Sequence, residues 1–192
     1  MAIEIKNNKD GTTAGVTKEN QLKTRAEMHA LQFHTSFVNG DAYQVIHTDT
    51  GITAEDSTVL HIKNTSATKL LAVTYVRVMD LGSVTTHAVG HHFTLGVGDT
   101  VASGGDSITP VNVNQGSGKV AEVTVTADPT EGDTFTEIDR VYTVAGEQNV
   151  WRKEGSVILS QGDTFSVKRL STGTGAATVR VSFVMLDKDR ED

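Results

Sequence analysis

The chain has 192 residues, enough for one domain with a real core. Its 24 acidic residues against 17 basic ones leave a net charge of −7, which disfavours general binding to nucleic-acid phosphates or to anionic lipid. The absence of Cys removes disulfides and thiolate metal sites from consideration and fits synthesis in a reducing compartment.

The opening run, Met-Ala-Ile-Glu-Ile-Lys-Asn-Asn-Lys-Asp-Gly, has no apolar stretch behind its charges and does not read as a secretory leader. No apolar run approaches the roughly 20 residues that a membrane span needs. In residues 1–20, Ile3, Ile5 and Val16 are too few to form a core. This segment reads as an extended arm, either one that orders on a neighbouring subunit or a frayed terminus. Leu22 to Ala30 alternates apolar with charged positions, the period of a half-exposed strand, although its residue types favour helix. Asn39-Gly40-Asp41 signals a turn, Ala42 to His47 a strand, and Thr48 to Asp56 a loop.

Ser57 to Met79 is the organising stretch. Two β-prone runs, Thr58–Ile62 and Leu70–Met79, flank a polar knot from Asn64 to Lys69. Asn, Ser and Thr in that knot can bond their own backbone and favour a turn. The runs are expected to be two strands meeting at the centre of a β core. Beyond a break at Asp80–Ser83, Phe93, Leu95 and Val97 alternate with smaller residues. Residues 102–118, rich in Gly, Ser and Asn, read as a long surface loop, and such loops are often functional.

Ala121 to Thr126 alternates as a half-buried strand, and Asp128 to Asp133 punctuates it. Phe135 and Ile138 begin another segment, Val141–Val144 is a short strand, and Gly146-Glu147 is a turn. Ser156–Leu159 is a compact strand closed by Gln161-Gly162-Asp163. Phe165, Val167 and Arg169 share one face of the next strand, and Thr172–Gly175 is a turn. Val179, Val181, Phe183 and Met185 form the inward face of a final strand. Eight to ten strands with turn signals every 8–12 residues or so indicate an all-β, two-sheet antiparallel sandwich, jelly-roll-like, over residues 21–186. It is preceded by the arm, residues 1–20, and followed by a charged tail, residues 187–192.

Few residues suggest chemistry. His87, His91 and His92 form the only His cluster, and three imidazoles could hold a transition metal. Adjacent strand residues point to opposite faces, however, and no carboxylate joins the cluster, so loop or interface histidines are expected instead. His29, His34, His47 and His61 are scattered. Gly104-Gly105-Asp106-Ser107 lacks the context of a nucleophile elbow, and Thr172–Gly175 lacks the Lys of a phosphate loop. The acidic residues around Pro129 do not have EF-hand spacing. Asn64-Thr65-Ser66 has the form of a glycosylation acceptor but reads as a turn. Trp151, the only Trp, is either a core or interface anchor or a stacking platform for a sugar. No catalytic residue, metal or cofactor is expected.

Three places carry a family resemblance. They are Val16–Thr24 with Asn39–Tyr43; Val59–Ser66 with Lys69–Leu71; and Val111–Asn114 through Gly118–Glu122 with Ile158–Asp163. Together they resemble virion structural proteins of tailed bacteriophages, and within that group the size and β content are similar to capsid decoration, or cement, proteins. The resemblance implies a non-enzymatic homotrimer, made in the host cytoplasm, that binds the major capsid protein on the capsid surface and stabilises the head shell. From the net charge and the lack of a long apolar run, no nucleic-acid or membrane partner is expected. The interface candidates are Ile3, Ile5, Val16, Asn112, Asn114 and Trp151. A tail or fibre component that binds a carbohydrate receptor is the alternative.

Overall fold

The computed structural model describes residues 39–52, 56–81, 92–132, 134–152, 157–170 and 175–188. The arm, the Leu22–Ala30 segment, His87, His91 and the end of the charged tail lie outside the described residues. Every element within them is a strand, arranged in two large antiparallel sheets and one small ribbon.

The first sheet contains β1 (Ala42–Ile52), β3 (Lys69–Asp80) and β14 (Gly175–Asp187) in the order β3-β14-β1. Both β11 (Gln148–Trp151) and β12 (Val157–Leu159) pair with the free side of β3, and β7 (Val111–Asn112) extends the sheet beyond β1. The second sheet runs β10 (Thr136–Tyr142), β4 (His92–Val97), β13 (Thr164–Leu170), β2 (Asp56–Asn64), β8 (Val123–Ala127), β6 (Asp106–Ser107). The ribbon pairs β5 (Val101–Ser103) with β9 (Thr130–Glu131). The principal strands follow the orders β11-β3-β14-β1 and β10-β4-β13-β2, which is the double Greek-key order of a jelly roll.

The two runs around the polar knot form as expected, but they do not pair with each other. β2 lies in the second sheet and β3 in the first, so the knot is a corner between sheets. Asn64 explains why it turns there. Its side-chain amide donates to the carbonyls of Lys69 (3.0 Å) and Leu159 (2.9 Å), and its Oδ1 accepts from the Ser66 amide (3.0 Å). Its own backbone bonds Asp163 and Gly162, so one buried side chain joins two corners of the sandwich.

The core lies between the sheets. Val179, Val181, Phe183 and Met185 of β14 face Leu60, Ile62, Phe165 and Val167 of the second sheet, all fully or almost fully buried. Arg169 shares that inward face and is also fully buried. Its Nε donates to Asp80 Oδ2 at 2.8 Å, an ion pair that links the two sheets through the interior. A smaller buried cluster, Ala42, Ala72 and Val184 with Leu186, lies on the opposite face of the first sheet.

The long segment between β4 and β10 is more structured than its composition suggests. Residues 102–118 contain two short strands and part of a third, and the insert as a whole lends edge strands to both sheets. β1 also continues to Ile52, through residues that read as loop. A bulge near Asp49 and the polar types of Thr48 to Thr50 hide that extension from a hydrophobic pattern.

Candidate functional site

The loop around β7 is the best-defined exposed feature among the described residues. It presents Val111 at 62 % exposure and Val120 at 73 %, with Val113 beside them. Its base is fixed by polar contacts. Asn112 Nδ2 donates to the carbonyls of Gly40 (2.7 Å) and Lys119 (3.1 Å), and the Asn112 Oδ1 accepts from the Asn114 amide (2.9 Å). Asn114 Oδ1 in turn accepts from the Gly116 amide (3.1 Å), and Ser117 Oγ donates to Gly40 O (3.1 Å). Gly40 has φ +65°, and a Cβ there would stand 2.5 Å from Ser117 Oγ, so the turn requires glycine twice over. Asn112 and Asn114, expected as interface residues, therefore shape the loop, while the valines between and beyond them face outward.

Asp41 anchors this arrangement. Its carboxylate is buried, 3.1 Å from Lys69 Nζ and 2.7 Å from Lys119 Nζ, and it accepts from the Tyr43 hydroxyl at 3.2 Å. Burial alone would push the Asp41 carboxyl up. The bonds and charges of Lys119 and Lys69 outweigh that and hold it below the usual carboxylate range. Burial, and then the neighbouring Asp41 carboxylate, push the Tyr43 phenol up.

Trp151 is only 6 % exposed. It stacks on Phe165 with centroids 6.5 Å apart, and its Nε1 donates to Asp139 at 2.8 Å. Its ring is a wall of a groove of about 590 Å³ shared with Val97, Ile138, Val157 and Leu159, where the β10 and β12 edges face each other. No family model, curated protein or solved structure matches the chain.

The remaining polar candidates are dispersed. His92 is buried against the Tyr142 ring, with centroids 5.3 Å apart. Asp128, at φ 48°, is bonded to His47 at 2.7 Å, and burial raises its carboxyl while His47 offsets part of that rise. Glu137 is paired with Arg140, whose hydrogen bond lowers its carboxyl. Among the described residues, no three His, Asp or Glu side chains converge as a metal site.

One constellation escapes a sequence reading. His61, scattered in the sequence, lies directly across from Ser166 in the second sheet; both are buried, and the imidazole meets Asp99, which is buried too. The residue types are those of a nucleophilic triad, but the geometry is not. Asp99 Oδ1 accepts from the Thr100 amide at 2.9 Å, and Oδ2 lies 2.9 Å from Lys168 Nζ. The imidazole Nε2 meets the Asp99 backbone carbonyl at 3.4 Å instead of the carboxylate. These residues are 38 and 105 positions from His61, so no local pattern announces them.

Proposed function

We propose that this protein is a non-enzymatic structural subunit of a tailed-bacteriophage virion, which decorates the capsid surface and stabilises the head shell by binding the major capsid protein. The single observation that carries this reading is the fixed loop that exposes Val111, Val113 and Val120. A surface whose backbone is already ordered loses little entropy on docking, so modest apolar contacts suffice. Repetition over many identical sites then multiplies a weak contact into durable binding. The jelly-roll strand order agrees with this reading by analogy, since viral capsid domains commonly use it. A homotrimer is the proposed unit, with closed symmetry as the usual form of self-association.

The test pairs two measurements. Sedimentation of the full chain should give a species of about three times 20.5 kDa, and co-sedimentation with assembled capsids should saturate at a fixed stoichiometry. Val111→Asp with Val120→Asp should abolish capsid binding while the fold is kept. A monomer that ignores capsids overturns the proposal.

The second reading is a tail or fibre component that binds carbohydrate. It is favoured by the groove beside Trp151 and by the use of jelly rolls in lectins. The buried, hydrogen-bonded indole leaves little ring face for a sugar. A glycan array with no hits would remove this reading.

A further inference from the structure

The insert between β4 and β10 gives Val125 and Ile108 to the apolar core, but its base, around Asp99, meets the second sheet through polar contacts. Alternation along β13 and β2 turns Ser166, Lys168 and His61 away from the core. The base of the insert covers them. Asp99 is fully buried, its backbone carbonyl accepts from Thr164 Oγ1 at 2.7 Å, and the same oxygen faces His61 Nε2. Phe135, at the other end of the insert, lies over Gly96, where an added Cβ would meet its ring at 2.3 Å. Lys168 Nζ is 4.2 Å from that ring's centroid while paired with Asp99. The amide of Gly132 closes the base on Thr100 O at 2.8 Å. His61 thus lies buried between the insert and the sheet, and its Nδ1 has no hydrogen-bond partner among the described residues.

We propose that the base of the insert is an acid-releasable cover, closed over a neutral His61 and loosened when that buried imidazole takes up a proton near the Lys63 ammonium group. Lys63 on β2 itself and Asp99 on the insert bear on the charge of His61, while Lys168 on the neighbouring β13 pairs with Asp99. The residues paired with this region from β8 and β4, namely Thr124, Thr126, Thr94 and Gly96, are uncharged. Asp99 favours imidazolium, first through its backbone carbonyl and then through its carboxylate, which is engaged by Lys168 and the Thr100 amide. Burial, the largest influence, disfavours the charged ring and places its titration below the usual His range.

Above the ordinary His value near 6.5, neither the closed nor the open form binds the proton, and the cover is fully held. Below that value the open form binds a proton that the closed form refuses, so opening grows by up to about tenfold per pH unit until the buried ring titrates too. The sandwich between the sheets is apolar at this level and has no reason to follow.

Hydrogen exchange between pH 7 and 5 tests this in the intact protein. Wild type and His61→Gln are compared at each pH, so the intrinsic acid dependence of exchange cancels. The wild-type amides of Gly98, Thr100 and Gly132 should lose protection relative to the variant by about tenfold per unit below about pH 6.5, while β3 and β14 amides stay protected in both. Equal profiles in the two proteins overturn the proposal, as does parallel loss in β3 and β14. If His61→Gln does not fold, imidazole NMR of the wild type decides. A His61 ring that titrates at the ordinary value without moving the insert resonances also overturns it.

Discussion

The protein has two internal contact layers, and they obey different rules. Between the sheets, Leu60, Ile62, Phe165, Val167, Val181 and Phe183 exclude water without directional demands. Between the insert and the second sheet, Asp99, His61, Thr164 and Lys168 meet through hydrogen bonds and one ion pair. The apolar side chains of the first layer carry no group that titrates. The second holds one register strictly and is conditional on protonation. A single chain thereby combines a durable body with a cover whose attachment can be altered separately.

The largest expected effect tests a place where the durable layer is itself polar. Asp80→Ala leaves the fully buried Arg169 guanidinium without its carboxylate and should cost about 3–5 kcal/mol in urea unfolding. A loss under about 1 kcal/mol would mean that the pair is solvated, and the contrast between layers would fail. Gly96→Ala attacks the other layer by forcing a Cβ against Phe135 and the Thr136 carbonyl. It should cost about 1–3 kcal/mol and strip exchange protection from the insert before the core.

Asn112→Ala removes three bonds that fix the valine loop and should cost about 1–2 kcal/mol, with spectral changes confined to the neighbourhood of Gly40. Asp41 adds a pH dependence of its own. Its folded carboxyl is held below the ordinary value of 3.8, so its contribution is present above that value and is lost as pH falls through the lower folded one. Lys119→Ala should shrink that loss in an acid unfolding series. Val120→Ser should change stability by no more than about 0.5 kcal/mol, because the side chain is largely in solvent. Under the proposed function the same change should weaken capsid binding measurably, which separates surface function from folding.

The elements that were legible in the sequence are those whose neighbours in the chain decide their faces. The alternation of Val179, Val181, Phe183 and Met185 matches the inward face of β14, and the Asn64–Lys69 knot is a turn. The corner role of that knot was not legible, because partner choice between sheets depends on Leu159 and Asp163, nearly a hundred residues away. The insert read as loop because strands of two or three residues carry no periodicity. Arg169 appeared on an inward face, but its counter-charge Asp80 is 89 positions distant. Asn112 and Asn114 drew notice as polar loop residues, although the loop's exposed surface belongs to the plain valines around them.

The strand order also governs how the chain can acquire its shape. β14 is flanked by β1 and β3, and β13 by β2 and β4, so the middle rung of each sheet comes from residues 164–187. Until the ribosome has released that stretch, β1 to β4 have apolar faces with no central neighbour to zip against. Assembly must therefore wait for pairings across more than a hundred residues, which predicts a slow, late, all-at-once collapse of both sheets.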